Sequence, residues 1–200
     1  MRLYDYLDSG NGYKVRLLLH QQGRSYERVE LDIMKGETRT PAFLAKNPNG
    51  RIPLLELDDG RCLAESNAIL FFLAQGTDFL PAEPFDQAQA LQWMCFEQYS
   101  HEPYIAVLRH WRQHMTLSPE QEARVPELMA NGEAALQVME AHLAERDYFL
   151  GGAYSIADIA LYAYTHAAAD GGFDLSGYPA LGAWLARVKG QPRHIPLAQG

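Results

Sequence analysis

The residue types best suited to chemistry lie in two short stretches of the first half of the chain. The first, NPNGRIPLL at residues 47–55, places Pro53 directly before an apolar run. A proline donates no ladder hydrogen bond, and X-Pro bonds are the common sites of cis peptides. A cis Ile52–Pro53 bond would leave the Ile52 backbone open to an extended peptide. The second, Glu65–Ser66, puts a carboxylate and a hydroxyl at a predicted helix start, where free N–H groups favour an anion.

The elements that must position these residues alternate between strand and helix. Apolar residues recur at helical spacing after a short strand-like run, and a second alternating run follows. Strand, helix and strand with short connections are typical of a right-handed βαβ unit. The predicted elements are strand 3–6, helix 13–22, strand 26–31, a short helix opened by Pro41, a hairpin of 54–57 and 62–64, and a helix from Ser66 to Gly76.

The pattern changes at about residue 77. Residues 77–85 contain two prolines and no period, which is typical of a linker. Beyond them the sequence carries helical periodicity and no clear strand signal. The predicted helical stretches are 86–114, 119–146, 156–169 and 179–189. The sequence therefore predicts a small α/β domain over residues 1–76 and an all-helical domain over 86–200.

One stretch of the helical half, YFLGGAYSIADIA at residues 148–160, has a clear role in folding. Ser155 is placed to cap a helix, and Asp158 follows three residues later. This is the spacing of a capping box, in which both residues satisfy backbone N–H groups at the helix start. The stretch predicts a helix boundary and no chemistry.

Charge and cysteine content exclude several function classes. The formal net charge of −8 argues against nucleic acid as a partner, because phosphate binding needs clustered Lys and Arg. No apolar run approaches the roughly 18 residues that span a bilayer, and the N-terminus lacks a signal-peptide core. Cys62 and Cys95 form no Cys-x-x-Cys pair, which argues against a disulfide framework, a zinc site and a dithiol centre. We expect a cytoplasmic protein without a metal.

The motifs together resemble one family. The pattern N-P-x-G-x-[IV]-P-x-L followed by E-S-x-A-I resembles the glutathione-binding half of the cytosolic glutathione transferases, and residues 148–160 resemble that family's helical-domain signature. The similarity covers essentially the whole chain. It implies an α/β thioredoxin-like N-terminal domain, an all-α C-terminal domain, glutathione as co-substrate, and a homodimer.

The resemblance gives the binding residues their expected roles. The Ile52 backbone, beside Pro53, is expected to pair with the cysteinyl part of glutathione. Ser66 is expected to hold the γ-glutamyl carboxylate, and Glu65 to accept from the γ-glutamyl ammonium. The glycine carboxylate is expected near Lys35, Arg39 and Arg51. Taken singly, Ser66 would suit a helix cap, and the charged side chains would suit a solvated surface. Taken together at this spacing, the residues favour binding.

A thiol-activating donor is expected at the start of the first helix, because a free thiol with a pKa of about 8.5 is only slightly ionised at pH 7. Ser9 matches the serine of the theta-, phi- and delta-like classes, and Asn11 resembles a nu-like bacterial branch in which an asparagine contacts the sulfur. Alternatively, Ser9 caps the helix, and Asn11 or the helix dipole stabilises the thiolate. Tyr13 is expected on the helix surface or in a dimer contact. The loop lacks a cysteine, which argues against mixed-disulfide chemistry through an enzyme thiol.

Charge and aromatic residues supply the remaining expectations. Five cations within residues 1–51 could offset the negative charge of glutathione: Lys14, Arg16, Lys35, Arg39 and Arg51. An electrophile pocket is expected in the helical domain, lined by Tyr99, His101, Tyr104 and Trp111. Ordinary core and surface aromatics fit the same pattern equally well.

The expected activity is transfer of glutathione to small hydrophobic electrophiles, as in detoxification. Two alternatives stay open: glutathione-dependent disulfide or peroxide reduction with two glutathiones, and a non-catalytic interaction module, since fold alone does not decide function. The helices over residues 65–72 and 89–99 are the expected dimer surfaces.

Overall fold

The computed structural model describes residues 1–199 and divides the chain into two compact units. The first contains Met1–Thr77 together with residues 192–199, and the second is Asp78–Gln191. The break after residue 77 lies next to the expected domain boundary. The sequence predicts a helical domain over all of 86–200, whereas residues 192–199 group with the first unit.

The first unit has the predicted thioredoxin-like arrangement around a four-stranded sheet of order β2-β1-β3-β4. Strands β1 and β2 are parallel, and the other neighbours are antiparallel. The strands are β1 (Arg2–Asp5), β2 (Glu27–Glu30), β3 (Leu54–Glu56) and β4 (Cys62–Ala64), and the helices are α1 (Gly10–Gln21), α2 (Pro41–Leu44) and α3 (Ser66–Ala74). Short 3₁₀ turns cover Ile33–Lys35 and Glu37–Arg39.

Buried leucines and isoleucine hold the sheet against the helices. Leu3 of β1 faces Leu55 of β3 in the register, and both are fully buried. Helix α1 packs against α3, which buries Leu18 and Ile69 as well. Removing such apolar surface from water is the dominant stabilising term in folding. The packing brings the N-termini of α1 and α3 close together.

A buried ion pair lies beneath the start of α1. Asp5 and Arg16 are both fully buried, and Arg16 Nε lies 2.8 Å from Asp5 Oδ2. The Nε–H is not aligned for a hydrogen bond with this oxygen, so the pair is held mainly by charge. A Cβ added at Gly12 would lie 1.5 Å from Asp5 Oδ1, so no larger residue fits there without displacing the carboxylate.

The C-terminal residues pack on α1. The Tyr13 hydroxyl donates to the Ile195 carbonyl at 2.7 Å, and Arg16 Nη1 donates to the Leu197 carbonyl at 2.8 Å. His20 Nδ1 lies 2.7 Å from the Arg193 carbonyl oxygen. Tyr13 is therefore fully buried, and the expectation that it lies on the helix surface or in a dimer contact is wrong.

The second unit is helical, as the sequence predicts. Its helices are α4 (Pro84–Phe96), α5 (Glu102–His114), α6 (Pro119–Leu143), α7 (Ile156–Thr165) and α8 (Pro179–Lys189). The predicted stretch 86–114 is interrupted by a π-helical turn at Glu97–His101. Pro103 follows this turn and has no N–H to continue a regular ladder. Among residues 1–199, no helix is long and apolar enough to cross a membrane.

Asp158 is the polar centre of the second unit. Its side chain caps the Ser155 backbone N–H while the Ser155 side chain caps the start of α7, which confirms the predicted capping box. It also accepts from the Phe149 N–H at 3.1 Å and from Trp184 Nε1 at 2.9 Å. The carboxylate therefore joins α7, α8 and the preceding loop.

Candidate functional site

The loop before β3 is built by Asn47. This buried side chain donates through Nδ2 to the Arg51 carbonyl at 2.8 Å, and its Oδ1 accepts from the Asn49 N–H at 3.2 Å. Gly50 has a φ of +62°, a conformation that glycine adopts without strain. The Ile52–Pro53 bond is cis, as predicted from the sequence.

Glu65 has a backbone conformation rare for a side-chain-bearing residue. Its φ of 70° and ψ of 115° join β4 to α3. Such geometry costs about 1–3 kcal/mol and persists where the surrounding structure imposes it, often at functional sites. Its side chain is exposed, whereas the next residue, Ser66, is only 6% exposed. Ser66 is the first residue of α3 and Glu65 holds the cap position, so the alternative in which Ser66 caps the helix is wrong.

Asn11, Lys14 and Ser66 form a hydrogen-bonded cluster, named here the amide cluster. Lys14 Nζ donates to Asn11 Oδ1 at 2.7 Å, and Ser66 Oγ donates to the same oxygen at 3.0 Å. Lys14 Nζ also lies 3.5 Å from Ser66 Oγ. Lys14 has no exposed surface although it carries an ammonium group. The cluster joins the start of α1 to the N-terminus of α3, where helix N–H groups favour an anion.

Ser9 occupies the N-cap of α1. Its Oγ accepts from the Gly12 N–H at 3.2 Å, which is the capping alternative that the sequence left open. An accepting hydroxyl still has a proton to donate, so capping and thiol contact are compatible. Asn11 contacts Ser66 directly, which places it in the same cluster as the predicted carboxylate-binding residue.

The cations expected near glutathione differ in their surroundings. Lys35 is 75% exposed and pairs with Asp32 at 2.9 Å, and Arg39 donates to the Asn49 carbonyl at 3.0 Å. Arg51 is exposed. Arg16 is engaged with Asp5 in the core, so it does not serve as a surface cation.

Sequence reasoning counted Lys14 only as one nearby charge and missed its place in the amide cluster. The signal was present in the spacing, because Asn11 and Lys14 are three residues apart at the start of one helix and so share a face.

The four aromatic residues expected to line an electrophile pocket differ greatly in exposure. Tyr99 is 85% exposed, Tyr104 is half-buried, and Trp111 is 9% exposed. His101 is fully buried, with Nε2 at 2.9 Å from Thr165 Oγ1. Because it has no accessible surface, His101 is a core residue in this conformation, which corrects its expected place on a pocket wall.

Comparison with known proteins identifies the family of both units. The model of the glutathione S-transferase N-terminal domain matches residues 1–75, and the model of the C-terminal domain matches residues 122–187. The chain belongs to the glutathione S-transferase family. Within residues 1–199, no cluster of three or more His, Cys, Asp or Glu side chains could hold a metal ion.

This glutathione S-transferase family member is similar to solved bacterial structures and to a curated bacterial protein. A glutathione S-transferase from Pseudomonas fluorescens Pf-5 is 55% identical, with a TM-score of 0.97 over 99% of this chain and 98% of that one. A glutathione transferase from Burkholderia graminis, solved with two glutathione molecules bound per subunit, is 28% identical, with a TM-score of 0.83 over 96% and 84%. The disulfide-bond oxidoreductase YfcG of Escherichia coli K12 is 30% identical, over 91% of this chain and 87% of that protein.

Proposed function

We propose that the protein is a glutathione transferase that ionises the glutathione thiol for attack on small hydrophobic electrophiles. The observation that carries the proposal is the amide cluster, which joins a buried serine at a helix N-terminus to an asparagine amide. The family membership and the glutathione-bound relative support glutathione as the ligand. We also propose a cytoplasmic location and a role in detoxification. Both cysteines are free and exposed, which agrees with the reducing environment of the cytoplasm.

The proposed binding roles combine the position of Ser66 in the amide cluster with the roles that the family resemblance implies for the other residues. Ser66 donates to the γ-glutamyl carboxylate, with the N–H groups of α3 behind it. Glu65 is exposed and acidic at the same helix start, so it accepts from the γ-glutamyl ammonium. The Ile52 backbone pairs with the cysteinyl unit. Lys35, Arg39 and Arg51 supply the positive charge for the glycine carboxylate.

Asn11 is the proposed thiolate donor, with Ser9 as the second candidate. A hydrogen bond to a charged group is worth about 1.5–3 kcal/mol, or roughly one to two pKa units in favour of the thiolate. Such a shift brings the thiol pKa close to physiological pH and increases the reactive fraction.

Removing the Ser66 hydroxyl tests the binding site. Ser66→Ala is expected to weaken glutathione binding by about 1–3 kcal/mol, because the carboxylate loses a buried donor. Titration calorimetry measures the change, with Ser25→Ala, an exposed serine of the same unit, as the matched control. No glutathione binding by the wild-type protein at several millimolar would contradict the proposed function.

The thiolate donor is identified by titrating bound glutathione. Asn11→Ala is expected to raise the pKa of the bound thiol by about one to two units, since the variant loses the amide donor. Ser9→Ala is expected to act mainly on helix stability, by about 0.5–2 kcal/mol. Thiolate absorbance at about 240 nm against pH follows the ionised sulfur. A raised thiol pKa in Ser9→Ala with none in Asn11→Ala would assign the donor to Ser9.

A second candidate function is glutathione-dependent disulfide reduction. It is favoured by the similarity to the E. coli disulfide-bond oxidoreductase and by the relative with two bound glutathiones. Parallel assays with an aromatic electrophile, a peroxide and a mixed glutathione disulfide distinguish the activities. Disulfide turnover without conjugation would favour the second candidate.

We also propose a homodimer. Large apolar side chains are exposed on both units: Phe72 is 44% exposed on α3, and Phe85 and Leu91 on α4 are 67% and 40% exposed. Burial of apolar surface drives most stable association. Sedimentation at micromolar concentration is expected to give about twice the 22.5 kDa chain mass. A monomer at those concentrations would contradict the assembly and leave the chemistry untouched.

A further inference from the structure

The orientation of the Asn11 amide is set by what surrounds its oxygen. Oδ1 lies 2.7 Å from Lys14 Nζ and 3.0 Å from Ser66 Oγ. An ammonium group has three donors and no acceptor, so it must face the amide oxygen rather than the amide nitrogen. The chemistry of Lys14 therefore decides the choice between the two amide orientations, which oxygen and nitrogen positions alone would leave open.

Orientation matters because the two ends of the amide act oppositely on a thiolate. The Nδ2 group donates hydrogen bonds, whereas the carbonyl oxygen presents negative partial charge. With Oδ1 held by Lys14 and Ser66, Nδ2 points away from both of them. An amide rotated by half a turn would present its oxygen to the opposite side and would disfavour an anion there.

Ser66 alone does not secure this orientation once substrate is bound. A serine hydroxyl has one proton, and it rotates to suit its acceptor. If the Ser66 proton turns to the γ-glutamyl carboxylate, Asn11 Oδ1 loses that donor. Lys14 has three donors and no exposed surface, so it still donates to Oδ1 when the Ser66 proton is used elsewhere.

We propose that Lys14 is a positioning residue that acts through Asn11, holding the amide with its Nδ2 group directed to the glutathione sulfur. The inference rests on the proposed function, in which Asn11 is the thiolate donor. In this proposal Lys14 acts on the sulfur indirectly, through its 2.7 Å contact with Asn11 Oδ1. Its position one helical turn after Asn11 on α1 fixes the two side chains on one face.

Two substitutions of Lys14 test whether the orientation of the Asn11 amide matters, or only the presence of a polar side chain at position 14. In Lys14→Arg the guanidinium is again a donor only, so the pKa of the bound thiol is expected to stay near that of the wild type. In Lys14→Gln the new amide both donates and accepts, so it no longer dictates which end of Asn11 faces it. The pKa of the bound thiol is then expected to rise by about one unit, measured by thiolate absorbance against pH. Should Lys14→Gln not fold, Lys14→Met removes the donor and gives the same expected shift.

The double variant Asn11→Ala/Lys14→Gln distinguishes action through Asn11 from a direct effect of the lysine charge. If Lys14 acts through Asn11, the double variant has the thiol pKa of Asn11→Ala alone, because coupled residues are not additive. Two shifts that add would overturn the inference, and so would an unchanged thiol pKa in both Lys14→Gln and Lys14→Met. Failure of Asn11→Ala to shift the thiol pKa would instead remove the donor on which the inference depends. Absence of glutathione binding in the wild type would remove the proposed function itself.

Discussion

Asp158→Ala is expected to lower the free energy of unfolding by about 3–5 kcal/mol, because several buried hydrogen-bond donors lose the carboxylate that accepts from them. The carboxylate is fully buried and accepts from the Ser155 N–H at 2.9 Å and the Ser155 hydroxyl at 3.0 Å. It also accepts from the Phe149 N–H and from Trp184 Nε1. Burial raises the pKa of Asp158 to about 6, and these hydrogen bonds oppose that rise. Alanine leaves the donors buried without their partner.

Urea unfolding followed by tryptophan fluorescence measures the loss, since Trp184 is part of the network. Asp158→Asn has nearly the same volume, but its NH₂ group would face donors, so we expect it to be destabilising as well. Asp174→Ala removes an exposed aspartate of the same unit and serves as the control. Stability within about 1 kcal/mol of the wild type in Asp158→Ala would show that the network contributes little.

Arg16→Met is expected to cost about 3–5 kcal/mol of stability at neutral pH, because it leaves Asp5 buried without its counter-charge. Arg16 also donates through Nη2 to the Leu7 carbonyl at 2.6 Å and through Nη1 to the Leu197 carbonyl. Methionine fills similar space but supplies none of these donors. The loss therefore combines an unpaired buried charge with unsatisfied carbonyl groups.

The cost of Arg16→Met is expected to depend on pH. Burial raises the pKa of Asp5 from 3.8 to about 6, and the attraction of Arg16 only partly offsets it. The pKa of Asp5 is higher in the folded protein than in the unfolded chain, so the folded protein binds the proton more tightly. The stability that this contributes is fully present below pH 3.8 and is lost as the pH rises through about 6. Removing Arg16 raises the pKa of Asp5 in the folded protein further, so the free energy of unfolding of the variant keeps falling to a higher pH.

Urea unfolding at about pH 5 and about pH 8 measures the expected widening of the gap between wild type and Arg16→Met. Asp5→Asn/Arg16→Met removes both charges, so its stability is expected to vary less with pH. Arg24→Met, an exposed arginine of the same unit, is the control. A gap of equal size at both pH values would mean that the unpaired charge of Asp5 is not the cause.

Features fixed by local chemistry could be predicted from the sequence. The strands, the cis Ile52–Pro53 bond and the Ser155–Asp158 capping box depend on neighbouring residues, and the structure confirms them. In helix α1 the apolar residues recur at helical spacing, which is typical of a helix with one buried face, yet Lys14 and Arg16 are buried too. Helical period does not reveal a helix that is covered all round by tertiary contacts.

The remaining differences come from contacts between distant residues. The Tyr13 hydroxyl donates to the Ile195 carbonyl, 182 positions away, and no local pattern encodes that contact. Asn11 and Ser66, 55 positions apart, were both named from separate motifs. The hydrogen bond between them depends on the packing of α1 on α3, which sequence spacing does not give. His101 was misplaced because aromatic spacing on a helix does not distinguish core from surface.

The placement of residues 192–199 in the first unit affects the order in which the protein is completed during synthesis. The whole of Asp78–Gln191 is translated between the two parts of that unit. Ribosomes add about 5–20 residues per second, so on the order of ten seconds pass between synthesis of the four strands and synthesis of the C-terminal segment that packs on α1. During this interval the nascent chain carries Tyr13 and Arg16 without their C-terminal partners. The first unit to emerge from the ribosome is therefore finished only after the second has been made.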